Sequence, residues 1–335
     1  MKFLNALLIS VVLLTLPSPL LCQQPVDHAF LWSQKTGMQD LGSLGVNSYA
    51  TGINRSGQVV GYYVTQANVE RAFLWTEKGG MQDIGTLGGD FTIASGIDDA
   101  GQVVGSASNG SGFVHAFLWT AAKGMRDLGT IGGNTSGGNA INEDGIIVGD
   151  CLLKNNITYH ACGRIPSGRW VDLGTLGGDA SNAVGINSKN QVVGWSITAS
   201  EIQHAFLWER ASGMHDLGSF GGTSGALGIN ASGEVVGFSV FAGGSPFHGF
   251  FWTESGGIQD LGAFNDGGAN SDAEAINDEG YIVGYACTDS TNTVCHAAVW
   301  DKAHKIHDLG TLGGAIASSS GINKSGQIVG WSEIQ

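Results

Sequence analysis

A His and an Asp twelve residues apart recur along the chain: His28 and Asp40, His115 and Asp127, His160 and Asp172, His204 and Asp216, His248 and Asp260, His296 and Asp308. Arg71 stands at the same distance before Asp83. A His–Asp couple is part of a hydrolytic triad, but no Ser or Cys nucleophile recurs beside these couples. The exchange of His for Arg, another donor to carboxylate, points instead to cross-strand hydrogen bonds or ion pairs. Pairs spread along a whole chain do not converge on one substrate, so their expected role is structural and no catalytic residue is assigned. His304 and His307, beside Asp308, have H-x-x-H spacing. In a strand, residues three apart point to opposite faces, which argues against a shared metal.

Acidic residues that do not repeat are better candidates. The stretch "AFNDGGANSDAE" gathers Asp266, Asp272 and Glu274, with Asn265 and Asn270 as further oxygen donors. Asp90 and Asp179 occupy the matching loops of other units. Together Asp90, Asp179, Asp266, Asp272 and Glu274 would make an acidic rim suited to Ca²⁺ or a cationic ligand, without EF-hand spacing. A glycosidase-like pair of carboxylates, about 5–10 Å apart, would have to come from the same cluster. Aromatic residues are the other resource. Trp32, Trp75, Trp119, Trp208, Trp252 and Trp300 share one repeat position and read as packing residues. Tyr62, Trp195, Phe238, Tyr285 and Trp331 follow "VVG" or "IVG" and are candidates for a rim.

The elements that position these residues come from a repeat. The Asp of a "D-(L/I)-G" triplet falls at 40, 83, 127, 172, 216, 260 and 308, a period near 44. Periods of this size signal solenoids, propellers or arrays. Each unit holds four short runs rich in Val, Ile, Phe, Trp and Tyr, such as "HAFLW", "MQDLG", "YATGIN" and "GQVVGYY". Turn residues bound each run, and no helical period is present. "I-N-x-x-G" closes one hairpin, its Asn bonding to the backbone and its Gly free to take φ > 0. In the fourth unit Asn190 replaces that Gly. Four antiparallel strands per unit, seven times over, predict an all-β, seven-bladed β-propeller.

The small-residue strand ("YATGIN", "IASGID", "NAVGIN") suits the crowded innermost position, with "GQVVG", "HAFLW" and "MQDLG" following outward. The repeat begins on "HAFLW" and the chain ends on "GQIVGWSEIQ", so the N-terminal strands are expected to complete the C-terminal blade and close the ring. Cys151 and Cys162 flank one variable loop between second and third strands, and Cys287 and Cys295 flank another. Facing positions on paired strands lie within disulfide reach, which predicts Cys151–Cys162 and Cys287–Cys295. The units, "HAFLW…M-x-DLG-TLGG…GIN-x-x-GQVVG", resemble the HAF-repeat family of extracellular bacterial proteins over Asp27 to the C-terminus. The resemblance implies export and a repeat fold, and no defined activity.

Residues 1–22 read as a secretory signal peptide: a Lys, then an apolar run that Pro17 and Pro19 break before the ~20 residues needed to cross a bilayer. Residues 23–335 are expected to be one exported domain without a membrane span, in a disulfide-forming compartment. A formal net charge of −14, with 15 Lys and Arg, argues against nucleic acid as partner. The reading that follows is a monomeric, non-catalytic scaffold binding a protein or carbohydrate ligand at one face or at the channel mouth, with no cofactor except a possible Ca²⁺. The alternatives are a glycan- or peptide-processing enzyme with rim carboxylates and a structural surface protein.

Overall fold

The computed structural model describes residues 25–154, 156–265 and 269–335. The expected signal peptide and Asp266 lie outside them. Among the described residues there are 28 strands and no helix. Five sheets contain four antiparallel strands each, spanning 47–83, 88–127, 140–174, 177–218 and 221–260. A sixth, eight-stranded sheet consists of two four-stranded groups, joined by one parallel bridge between Cys295 and Ile316. One group is 271–310; the other pairs Gly313–Ile322 and Ile328–Ile334 with Val26–Ser33 and Gly37–Asp40. In that last group, Ala29 faces Trp331 and Phe30 faces Gly330, so the two ends of the chain share a ladder.

The sequence repeat and the sheet are out of phase. Each sheet takes its two inner strands from one unit and its two outer strands from the next. The first strand of every group packs on the first strand of the next, and Gly313–Ile322 packs on Asn47–Ile53. Strand order within a group follows chain order, so the second-to-third loops and the crossings between sheets lie at one end of the molecule. The I-N-x-x-G turns lie at the other. Their closing residue takes φ of 77° at Gly57 and 73° at Gly145, and Asn190 does the same work at 65°.

Both faces of each sheet are covered, which explains why the second strand carries two consecutive buried valines. Val59 joins the core shared with the preceding group, and Val60 the core shared with the following one. The glycine after them, Gly61, has a separate cause. A Cβ there would meet the carbonyl oxygen of Tyr49, and the same holds at Gly105, Gly194 and Gly330 against Ile93, Asn182 and Ser318. The "VVG" triplet therefore combines two-sided burial with close approach of the two inner strands.

Phe30, Phe73, Phe117, Phe206 and Phe250 of the "HAF" strand are fully buried between sheets. Each contributes roughly 1.5–3 kcal/mol relative to an exposed side chain. Two sheets lack this Phe and carry Cys162 and Ala298 in its place. Both of those sheets hold a disulfide, Cys151–Cys162 and Cys287–Cys295. Cys287 and Cys295 face each other directly. Cys151 instead faces His160, and Cys162 faces Gly149, so the first pair spans a diagonal rather than the facing positions expected.

Candidate functional site

Each recurrent His–Asp pair joins the third and fourth strands of its sheet. His28 Nδ1 lies 2.9 Å from Asp40 and His204 Nδ1 2.8 Å from Asp216, while Arg71 Nη2 lies 2.9 Å from Asp83 Oδ2. His115 and Asp127 are 2.8 Å apart. The pairing is diagonal, since Phe30, not His28, is the residue facing Asp40. Every one of these Asp residues also accepts a backbone N–H two residues on, as Gly42 N to Asp40 Oδ1 at 2.6 Å. The carboxylate thus fixes both the strand pair and the crossing to the next sheet. The pairs are distributed around the outside of the molecule and converge on nothing.

The acidic candidates occupy different places. Asp90 and Asp179 are exposed near the starts of the strands Gly88–Ile97 and Gly177–Ile186. Asp272 and Glu274 lie in the strand Ser271–Ile276 rather than in the loop before it. The ladder shifts register at Glu274, and the two carboxylates do not join Asp90 and Asp179 in an exposed rim. Burial pushes the Asp272 carboxyl well above the ordinary carboxylate range, and the Glu274 charge pushes it further. Burial raises Glu274 to about 7. Tyr285, facing Asp272 across the ladder, is raised by burial and by both carboxylates.

The residues after "VVG" have separate fates. Tyr62 stacks on Tyr49 at 4.9 Å, and Trp331 meets Tyr49 edge-on at 5.7 Å, while the Tyr49 hydroxyl donates to Asp27 at 2.6 Å. This aromatic group knits the two ends of the chain. Trp195 instead lines an open cleft of about 290 Å³ between the sheets 140–174 and 177–218. Asp150, Tyr159, Asp179 and Asn182 line it with Trp195. The topology places this cleft at the end of the molecule that carries the second-to-third loops.

Asp150 is the residue that the sequence reading passed over. It stands where five other units have Tyr62, Trp195, Phe238, Tyr285 or Trp331 and one has Ser106, and an acid in a mostly aromatic column was the available signal. Desolvation raises its pKa, and a backbone hydrogen bond offsets part of the rise. Its neighbour Cys151 is tied to Cys162, which pins the hairpin that presents Asp150 on one strand and Tyr159 on the other. Tyr159 is 40% exposed, so its ring is open to a ligand. The cleft combines flat aromatic surface with carboxylate and amide groups at its sides. This is suited to a polyhydroxylated ligand, whose C–H faces stack on rings and whose hydroxyls donate to carboxylates.

No family model matches the sequence, and no curated protein matches it. Solved structures do resemble it. A putative TolB from Agrobacterium tumefaciens superposes with a TM-score of 0.54 at 9% identity, over 92% of this chain and 98% of that one. TolB from Acinetobacter baumannii gives 0.48 at 11% identity; this chain spans 62% of that structure's length, with 69% of its own matched. The BP39L lectin from Burkholderia pseudomallei gives 0.46 at 8% identity, over 85% of this chain and 94% of that one. The first likeness is close enough to define the fold: an all-β, propeller-like assembly of four-stranded antiparallel blades.

Proposed function

We propose that the protein is an exported, non-catalytic HAF-repeat propeller of seven blades, closed by its N-terminal strands, that binds a carbohydrate in the cleft between the sheets 140–174 and 177–218. The observation carrying this reading is the departure of that cleft from the repeat. Asp150 replaces an aromatic residue, "HACGR" replaces "HAFLW", and a disulfide holds the altered hairpin beside Trp195 and Asn182. Seven core clusters, each drawn from two successive four-stranded groups, support the blade number. The pairing of Val26–Ser33 with Ile328–Ile334 supports the closure. Two disulfides favour an oxidising compartment, in keeping with a leader over residues 1–22.

The test is a glycan array probed with the chain from Gln23 onward, with hits measured by calorimetry. Trp195→Ala and Asp150→Asn are each expected to weaken the best hit by at least ~10-fold, as for an anchor in a binding site. Phe238→Ala, at the repeat-equivalent position away from the cleft, is expected to leave it unchanged. Binding that survives both cleft changes would refute the assignment. Turnover of the bound glycan that disappears in Asp150→Asn would replace the scaffold by an enzyme.

A further inference from the structure

Two arginines break the repeat, and they break it at one groove. The last residue of "HAFLW" is Trp in six units, and in the remaining one it is Arg164. On the outermost strand, the residue before the recurrent Asp is Gln, Val or His in six sheets, and Arg126 in the sheet 88–127. Register brings the two together. Arg164 faces Ile147, as Trp75 faces Val59. Arg126 faces Leu118, as Gln39 faces Leu31. Facing residues share one side of a sheet. Ile147 belongs to the core between the sheets 88–127 and 140–174, and Leu118 packs against that core. Both arginines therefore stand on the sides of their sheets that look into this space. The register shift of the strand Tyr159–Arg164 falls between Ala161 and Cys162, short of Arg164, and it recurs at Ala205 and Phe206 in the next sheet. Between two other pairs of sheets the same positions line open clefts. Trp75 and Gln39 line one of about 380 Å³, and Trp252 and His215 line another of about 540 Å³.

The two guanidiniums lack partners among the described residues. Arg55 and Arg71 pair with Asp99 and Asp83, but no ion pair or hydrogen bond engages Arg126 or Arg164, in a chain whose net charge is −14. Arg164 Nε is buried with no hydrogen-bond acceptor. A buried donor left unpaired is costly until an acceptor reaches it. Burial and the charge of Arg126 both work against the Arg164 cation, yet a guanidinium keeps its proton in a protein. Lys123 adds a third positive charge at the repeat position of Thr36, which lines the first of the two clefts. Asp144, at the position of Ser56 in that cleft, is exposed and pairs with neither arginine.

We infer that Arg126 and Arg164 form a binding site for a tetrahedral oxyanion, phosphate or sulfate, in the groove between the sheets 88–127 and 140–174. Each guanidinium is a planar fork that grips two oxygens at once. A carboxylate has one pair of oxygens to offer, whereas a tetrahedral oxyanion offers separate edges to two forks carried on two sheets. The net negative charge of the chain repels long polyanions, so the site suits a single compact group, either the free ion or its monoester on a sugar. The groove lies at the end of the molecule that carries the I-N-x-x-G turns, opposite the cleft of Trp195, so the two sites stand or fall separately.

The test titrates inorganic phosphate, inorganic sulfate, a hexose phosphate and glucuronate into the protein at low ionic strength, where screening is weak, read by calorimetry. Wild type is expected to bind the tetrahedral anions saturably and glucuronate at least ~10-fold more weakly. Tighter binding of the hexose phosphate than of phosphate would mark the ester as the ligand; equal binding would mark the free ion. Arg126→Gln, which restores the residue of three other sheets, and Arg164→Met, which keeps the apolar stem and removes the fork, are each expected to weaken binding at least ~10-fold, and together to abolish it. Arg126 is exposed, so its variant is expected to keep the wild-type melting temperature. Arg164→Lys, a charge without the fork, is expected to recover only part of the affinity. Arg210→Gln, on another sheet, is expected to change nothing. No saturable binding of phosphate or sulfate by wild type would overturn the site. So would binding retained in the double variant, or glucuronate bound as well as phosphate.

Discussion

A carboxyl group raised in the folded protein makes stability depend on pH, and Glu274 is the clearest case. Its ordinary value of 4.5 moves to about 7, because burial penalises the charge. Asp272 moves in the same direction, and Tyr285 beside them is neutral throughout this range. The neighbouring strand Gly313–Ile322 carries no titratable side chain. Between 4.5 and about 7 the folded chain holds a proton that the unfolded chain has released, so stability falls as pH rises across that window and then levels off. Melting temperatures should therefore fall from pH 5 to pH 7.5 in wild type, and this decline should be much reduced in the Asp272→Asn, Glu274→Gln double variant. An equal decline in both would place the pH dependence elsewhere. Sequence alone singled out these two acids as irregular but assigned them to a loop, since the glycines before Asn270 gave no sign of where the strand resumes.

At the scale of the element, each sheet needs a large side chain to fill the space against its predecessor. Phe does this in five sheets, and in the remaining two Trp170 and Trp300 do so. Trp300 is fully buried and its indole N–H donates to Leu261 O at 3.0 Å; Trp170 does the same to Leu128 O at 3.1 Å. Trp75, at the same repeat position as Trp300, is only half-buried because Phe73 already occupies the interior. Trp300→Ala should then cost ~3–5 kcal/mol, and Trp75→Ala distinctly less, in denaturant unfolding monitored on both variants. Equal losses would show that Phe and Trp do not substitute for one another. The strands and their order were legible because alternation, turn glycines and the repeat all agreed. The cysteines were legible as hairpin crosslinks. That they coincide with the two missing phenylalanines was also open to view, but its consequence for Trp170 and Trp300 needed the packing of one sheet on the next.

Across the whole molecule the asparagines of the I-N-x-x-G turns form a chain of hydrogen bonds from sheet to sheet. Asn54 Nδ2 donates to Asp98 O at 3.1 Å, Asn187 to Asn230 O at 3.0 Å, and Asn277 to Asn323 O at 3.1 Å. Asn142 and Asn230 continue the series to Asn187 O and Asn277 O. Asn323 donates to Asn54 O at 3.1 Å, linking the last turn to the first. Each Asn is buried, and its Oδ1 meanwhile accepts backbone N–H groups of its own turn, as Asn323 does from Ser325 and Gln327. A turn residue chosen for local geometry therefore also fastens neighbouring sheets. The exception is Asp98, which has no amide N–H to offer to Asn142 and accepts instead from Gln102 Nε2 at 2.7 Å. Asp98→Asn should restore the missing link once Gln102 turns its amide oxygen inward, the arrangement Gln58 has with Asn54 at 2.8 Å. One added buried hydrogen bond is worth ~1 kcal/mol, a rise of about 2 °C in melting temperature for a domain of this size. The complementary change, Asn323→Ala, breaks the link between the two ends of the chain. In a closed ring it should destabilise as much as Asn230→Ala, because the joint between the ends carries the same load as any other. A markedly smaller loss for Asn323→Ala would mean that the ring opens there before the rest unfolds.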